Sequence, residues 1–386
     1  MGKDIKNFLD YEKYTSKFFS NYNRIIIKVG SSLIINKKNR TIRNDWLSAL
    51  SEDIAYLRKI KKEIIIVSSG AIALGRNTLS SSDKTLNLEE NQAAASIGQI
   101  ELAFSWKAAL EQQNIKCAQI LLSPDDTETR RRHLNARATL ATLIKSHVVP
   151  VINENDTVTT SEIKFGDNDR LAARVAQMSS SDLLILLSDI DGLYDQNPHK
   201  HKTAKHIPLV EEINETIINM AGSSHYEYAS GGMVTKIEAA KISSLSGCNL
   251  IICNGESNHP ILELSKVKKY TIFKANDTPL SARKKWIAAG LNIFGKLIVD
   301  NGASRALKNG SSLLPAGVIR LEGTFEKGDL VEILDQDGNI IGSGLSSYNS
   351  KEIEIISGKK TRDIKSFLGY EGRDELIHRD DLVLKI

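Results

Sequence analysis

The chain has 386 residues, too many for one typical core, and is expected to form two or three domains. With 41% hydrophobic residues, 25% charged residues and only 7 prolines, it is neither a disordered nor a fibrous protein. A net charge of +4, with acids nearly balancing bases, gives no argument for a nucleic-acid or membrane partner.

Residues 1–22 read as a short helical extension with Phe8, Leu9, Tyr11 and Tyr14 on a loose apolar side. Arg24–Val29 (RIIIKV) is a β-branched run that stops at Gly30-Ser31-Ser32, which predicts a fully buried strand feeding a tight turn, with Lys28 near its end. Asn44 is placed as the cap of a helix in which Trp46, Leu47, Leu50, Ile54, Leu57 and Ile60 recur at helical spacing. A second buried strand, Glu63–Val67, ends in the small-residue turn Ser68-Ser69-Gly70-Ala71-Ile72-Ala73. In the next helix, Glu90–Gln113, the residues Ala93, Ala94, Ala95, Ser96 and Gly98 permit close packing. Cys117–Leu122 is a third strand, followed by a charged segment (124–133), a helix over Asn135–Lys145 and a fourth strand, Val148–Ile152.

That strand empties into a polar stretch holding Asn153, Glu154, Asn155, Asp156, Glu162, Asp167, Asn168 and Asp169. Open α/β sheets place their ligands at such strand ends, and crowded carboxylates call for lysines or a cation-bearing ligand to relieve their repulsion. A solvated, Asx-rich loop is the competing reading. A helix (Asp169–Met178, capped by the acids before it) and a fifth strand (Asp182–Leu187) follow, and then the turn Ser188-Asp189. Ser230-Gly231-Gly232-Met233-Val234-Thr235-Lys236 opens another helix, and Asn249–Cys253 is a sixth strand. Alternating β and α with uninterrupted apolar strands predicts a parallel sheet covered by helices on both faces. From Gly295 the pattern becomes short strands between Gly-bearing turns (KLIVD, VIRLEG, DLVEIL, IIGSGLSSY, EIEII, DLVLKI), which predicts a small β-rich domain or barrel.

Cys117, Cys248 and Cys253 show no CxxC spacing and read as buried thiols in a reducing compartment. No apolar run reaches the roughly 18 residues of a membrane span, and the N terminus is too polar for a signal peptide, so a cytoplasmic location is expected. Neither GxxxxGK[ST] nor a strand-linked GxGxxG is present, which argues against P-loop and Rossmann readings. Four strand-end clusters remain: Lys28-Val29-Gly30-Ser31-Ser32, Ser69-Gly70-Ala71, the acid and amide stretch, and Ser230–Lys236. Glycine turns and helix N termini present N–H groups to anions, and two lysines beside them suit phosphoryl transfer, whose catalysis is mainly positioning and charge neutralisation. Singly, each cluster is equally well a plain turn, a cap or a solvated lysine.

In this order, KVGSS, SSGAIALG, LNARATL, VPVINENDTV, FGDNDRLAA, LLSDIDGLYDQNP, SGGMVTK and ARKKWIA resemble the glutamate-phosphorylating branch of the amino acid kinase family, over essentially residues 23–386. VDNGASRALKNGSSLLPAGV, FEKGDLVEI and DELIHRDDLVL resemble a PUA domain. The resemblance implies a three-layer α/β sandwich with a mostly parallel central sheet over 23–275, a linker over 276–292 and a PUA domain over 293–386. It implies that Lys28 bridges the phosphates, that Lys236 stabilises the phosphoryl group, and that Asp169 holds both lysines. Ser69, Gly70, Asn153, Asp156 and Asn168 would hold L-glutamate, with Asp156 facing its ammonium group. Lys28, Ser188, Asp189 and the turn Ser230, Gly231, Gly232, Met233, Val234, Thr235 and Lys236 would hold ATP, with Mg²⁺ carried mainly by the phosphates and no protein metal site. The family often has Thr where Ser188 stands, which keeps the hydroxyl. The γ-carboxylate needs no general base, and the eight histidines fall outside the four clusters, with His225 nearest.

The resemblance further implies feedback inhibition by proline, homo-oligomers (dimer or tetramer) and hand-over of the product to glutamyl phosphate reductase. PUA domains also raise RNA binding through Arg283, Lys284, Lys285, Arg305, Lys308 and Arg320, but interspersed acids and the absence of aromatic–basic alternation favour a solvated face. Two alternatives stay open: a sister kinase acting on aspartate, N-acetylglutamate, carbamate or a nucleotide, and an RNA-binding regulator with an inactive kinase fold.

Overall fold

The computed structural model describes residues 14–36, 38–79, 86–159, 168–198, 200–221, 232–267, 269–288 and 293–385. The chain divides into two compact units, Met1–Pro279 and Leu280–Ile386.

In the first unit, strands β1 (Arg24–Val29), β2 (Glu63–Ser68), β3 (Cys117–Leu122), β4 (Val149–Glu154) and β5 (Leu183–Ser188) stand where the sequence places them. A two-stranded ribbon of β6 (Leu193–Tyr194) and β7 (His206–Ile207) follows, then β8 (Leu209–Val210), β9 (Asn249–Asn254) and β10 (Tyr270–Phe273). The main sheet runs in the order β3-β4-β2-β1-β5-β9-β10-β8 and is parallel except for the β9/β10 pair.

Side chains alternate across this sheet. Ile25, Ile27 and Val29 enter one apolar layer and Ile26 the other, and β2 divides in the same way into Ile64 and Ile66 against Ile65 and Val67. Both faces are therefore covered, which is why the strands read as unbroken apolar runs. Beside β1 the sequence-adjacent strand β2 lies on one side and β5 on the other, so the strand ends open a crevice at this reversal of direction.

Several boundaries differ from expectation. Asn44 is the first residue of the Asn44–Lys59 helix, not its cap; Arg43 holds that position without a side-chain hydrogen bond. The charged segment contains a short helix, Pro124–Glu128, and the next helix, Arg130–Lys145, begins earlier than expected. Tyr14 is exposed, whereas Phe19 is fully buried. Phe8, Leu9 and Tyr11, like Glu162, Asp167 and His225, lie outside the described residues. Cys248 and Cys253 are buried and Cys117 is half-buried; all three are free thiols. Burial pushes the Cys253 thiol up to about 12.

The sequence places only a turn at Ala71-Ile72-Ala73, yet Ala71–Leu79 is a helix packed on Leu88–Gln112. Asn87 starts the longer helix with a capping box to Glu90. Gly75 and Gly98 make the crossing possible: a Cβ on Gly75 would lie 1.9 Å from the Ala94 carbonyl oxygen, and one on Gly98 would lie 1.9 Å from that of Ala71. Gly75 interrupts the helical pattern locally and is required by the neighbouring helix.

In the second unit, β11 (Gly295–Val299), β12 (Val318–Glu322), β13 (Leu330–Leu334), β14 (Ile340–Leu345) and β15 (Leu382–Leu384) form a sheet ordered β12-β11-β13-β14-β15. The EIEII stretch, expected as a strand, is the helix Ser350–Ile356. Asn349 and Glu352 form a capping box, and Ile353 and Ile356 are buried while Ile355 is exposed, so the working period is helical despite the local alternation. The stretch read as a linker contains the helix Pro279–Ala288. Arg283, expected on a solvated face, is buried there, and its Nε donates to Asp381 Oδ1 at 2.8 Å. Arg320 pairs with Glu322 at 3.4 Å.

Gly98→Ala places a methyl group against backbone that cannot move aside, and overpacking of this kind costs about 1–3 kcal/mol. A chemical denaturation midpoint for Gly98→Ala equal to that of the wild type would contradict the helix crossing described here.

Candidate active site

Lys28 is the penultimate residue of β1, one of the two central strands of the first unit's main sheet. Its Nζ lies 2.6 Å from Oδ1 of Asp169, in the first turn of the helix Asn168–Ser179. Lys236, in the first turn of the helix Met233–Leu245, places its Nζ 3.0 Å from Oδ2 of the same carboxylate. Asp169 has no solvent exposure and each lysine retains only 5%. Burial by itself would raise the Asp169 carboxyl pKa, but the two ammonium groups outweigh it and hold the group below its ordinary value. Three segments distant in sequence thus meet at one carboxylate, leaving a net positive charge beside it. Thr235 Oγ1 lies 2.8 Å from the Gly232 carbonyl and 3.3 Å from Asp169 Oδ2.

A second, uncharged network adjoins this bridge. Asn168 Nδ2 donates to Ser69 Oγ at 2.7 Å, to Asn153 Oδ1 at 2.9 Å and to the Ser68 carbonyl at 3.2 Å. Asn153 in turn donates to Gln99 Oε1 at 2.8 Å, and Trp106 Nε1 donates to Ser68 Oγ at 2.8 Å. Gln99 and Trp106 were not expected here; they arrive because the Leu88–Gln112 helix packs over the end of β2. Neither had a strand-end signal in the sequence.

Lys28 and Lys236 of the bridge and Ser69, Asn153 and Asn168 of the second network line one cleft of about 770 Å³. Of the residues singled out in the sequence, Lys28, Ser69, Gly70, Asn153, Asp156, Asn168, Ser188, Asp189 and Lys236 border it. Gly232, Met233, Val234 and Thr235 stand at the start of the helix that carries Lys236, while Ser230 and Gly231 lie outside the described residues. The cleft also receives Arg40, Arg76 and Asn91, which sequence reasoning missed. Ser188 Oγ donates to Asp189 Oδ1 at 3.2 Å.

Three helices start at the cleft after glycines: Ser31–Ile34 after Gly30, Ala71–Leu79 after Gly70, and Met233–Leu245 after Gly232. Gly70 has φ +123°, a conformation that side chains rarely adopt. Gly232 is the N-cap of its helix and has no side chain to occupy the first-turn N–H groups, which fits a phosphate at that end. Among the described residues no group of three or more His, Cys, Asp or Glu side chains could hold a metal ion, and no helix is long and apolar enough to cross a membrane.

A doubly wound sheet with a strand lysine and a helix lysine on one buried carboxylate is the frame of a phosphoryl-transfer enzyme, and the chain belongs to the amino acid kinase family, which it matches over residues 23–254. Residues 295–368 match the PUA domain. The chain is 51% identical to a glutamate 5-kinase of Gluconobacter oxydans over 94% of its own length and 96% of the relative's. It is 50% identical to a glutamate 5-kinase of Paramagnetospirillum magneticum over 94% of its length and 98% of the relative's.

Removing the Asp169 charge strands two buried ammonium groups, and breaking a buried pair in this way costs about 3–5 kcal/mol. Asp169→Asn is therefore expected to lower unfolding stability at pH 7. Because the folded-state pKa is depressed, the wild-type advantage is complete well above the ordinary 3.8 and is lost as pH falls below it. The gap between the denaturation midpoints of the two proteins should be constant from pH 7 to about pH 5 and narrow as pH falls below 3.8; a gap that widens toward acid would contradict the ion-pair bridge.

Proposed function

We infer that the chain catalyses ATP-dependent phosphorylation of the γ-carboxylate of L-glutamate to γ-glutamyl 5-phosphate, the first step of proline biosynthesis from glutamate. The observation that carries this reading is the Lys28–Asp169–Lys236 bridge beside the Ser69–Asn168–Asn153 network in one cleft. Identity of about half to glutamate 5-kinases over nearly the whole chain supports the same substrate.

The γ-carboxylate is ionised at neutral pH and is itself the nucleophile. One of its oxygens attacks the γ-phosphorus of ATP in line, the bond from that phosphorus to the β,γ-bridging oxygen breaks, and ADP leaves. Lys28 neutralises charge on the phosphates, and Lys236 does so from the nucleotide side. Asp169 holds both ammonium groups in place, so little rearrangement is needed as charge moves in the transition state. Ser69, Gly70, Asn153 and Asn168 orient the amino acid and Asp156 meets its ammonium group. Ser188, Asp189 and the 230–236 turn meet the nucleotide. The nucleotide would bring Mg²⁺ on its own phosphates, where the ion would supply further charge neutralisation beside Lys28 and Lys236.

Proline shares the α-carboxylate and amine of glutamate and is proposed to compete for the same pocket. Dimeric or tetrameric assembly, hand-over of the labile acyl phosphate to glutamyl phosphate reductase and a cytoplasmic location complete the proposal. The free thiols suit such a compartment.

Incubation with Mg-ATP, hydroxylamine and either glutamate, aspartate or N-acetylglutamate should give a hydroxamate with glutamate alone; folded, ATP-binding protein that gives none would refute the reading. Lys236→Ala is expected to lose at least 100-fold in kcat while retaining the wild-type circular dichroism spectrum, and near-normal turnover would remove Lys236 from the mechanism. Asp156→Ala should raise the KM for glutamate at least tenfold and the KM for ATP less than threefold. Equal effects on the two would place Asp156 outside the amino-acid pocket.

A further inference from the structure

The function proposed above leaves one charged group of the substrate without a partner. Glutamate brings two carboxylates and one ammonium. The reacting carboxylate faces Lys28 and Lys236, the ammonium faces Asp156, and the α-carboxylate has no cationic counterpart among these residues. Withdrawing a carboxylate from water without a cation or several N–H donors is strongly unfavourable. Resting on that reading of the site, we propose that Arg40 and Arg76 recognise the α-carboxylate and so select the amino acid.

The two residues are the other cations that line the cleft among the described residues. Arg76 lies three and four residues after Ala73 and Ile72 in the Ala71–Leu79 helix, so the three share a helical face, and all three border the cleft. That helix begins directly after Ser69 and Gly70, which places Arg76 about two turns beyond Ser69. Arg40 comes from a loop whose ends are joined by the Ile35–Ile42 bridge, and Ile35 also lines the cleft. The residue next to Arg76 ties the loop to the helix: Asn77 Oδ1 accepts from Arg40 Nη1 at 3.4 Å, and Asn77 Nδ2 donates to the Asn39 carbonyl at 3.4 Å. Arg40 adopts φ +53°, uncommon for a residue with a side chain, and is held there on the same wall as Arg76.

Chemistry favours arginine here. A guanidinium stays charged throughout the accessible pH range and offers a planar fork of N–H donors that matches a carboxylate, whereas Lys28 and Lys236 are point charges suited to a phosphoryl group whose geometry changes during reaction. The cleft thus has a lysine end for the group that reacts and an arginine wall for the group that identifies the substrate.

The α-carboxamide of glutamate, isoglutamine, keeps the γ-carboxylate and the ammonium but lacks the α charge. In the hydroxamate assay the wild type should prefer glutamate to isoglutamine in kcat/KM by at least 100-fold. Arg76→Met and Arg40→Met should each reduce that preference at least tenfold through a raised KM for glutamate, with the KM for ATP changed less than twofold. Arg76→Lys should recover part of the preference, since it restores charge without the fork. An unchanged preference in both Met variants overturns the assignment, as does a loss of turnover that is the same for the two substrates. Should Arg76→Met fail to fold, Arg40→Met and Arg76→Lys decide by the same ratio. Wild-type protein inactive with glutamate would instead overturn the underlying reading of the function.

Discussion

A carboxylate removed entirely from water must be neutralised or matched, and Asp169 is matched twice. The arrangement of one of the first unit's central strands and two of its helices follows from that requirement. Lys28 has to stand near the end of β1 at the correct depth, and the helices carrying Asp169 and Lys236 have to start within reach of one another. One negative charge between two positive charges leaves a surplus of one in a poorly solvated place, which attracts an anion strongly. Phosphoryl transfer uses such a surplus with little further reorganisation.

The neighbouring network has a different physical character. Asn168, Asn153, Ser69 and Gln99 are linked by hydrogen bonds without formal charge, and such a chain imposes direction more than attraction. Asn168 and Asp169 are consecutive residues, so one helix start anchors both networks and fixes their positions relative to one another. Precision there depends on close approach of backbones elsewhere. Gly75 and Gly98 let the Leu88–Gln112 helix lie near enough to supply Gln99 and Trp106, and Gly70 takes a backbone conformation costly to other residues.

The second unit is held by a buried pair of its own, Arg283 to Asp381, which joins its first helix to the segment before its last strand. Read from composition, Arg283 belongs with the basic residues that suggest a nucleic-acid surface. Its burial removes it from that group, and Arg320 is paired with Glu322. Residues of one charge in a row of sequence therefore have quite different roles once the chain closes ends far apart.

Strands β1 to β5 and β9, their parallel arrangement and the four strand-end clusters were legible in the chain, because burial on both faces demands unbroken apolar runs and tight turns demand small residues; the short strands β6, β7, β8 and β10 were not. The lysines and acids of the candidate site could be named for the same local reasons. Helix starts and short alternating stretches were less legible: EIEII satisfies the strand period as a string, and only the capping box at Asn349 and the packing of Ile353 and Ile356 select the helix. Gln99, Arg40 and Arg76 were invisible as site residues, since nothing adjacent to them signals a ligand and their place depends on a helix crossing and a tethered loop. The sequence by itself determined which residues end the strands of a buried sheet, a property of local pattern and solubility. Only the tertiary structure decided the distances at which Lys28 and Lys236 meet the Asp169 carboxylate and which helices complete the cleft, because those contacts span long loops and depend on how the helices pack.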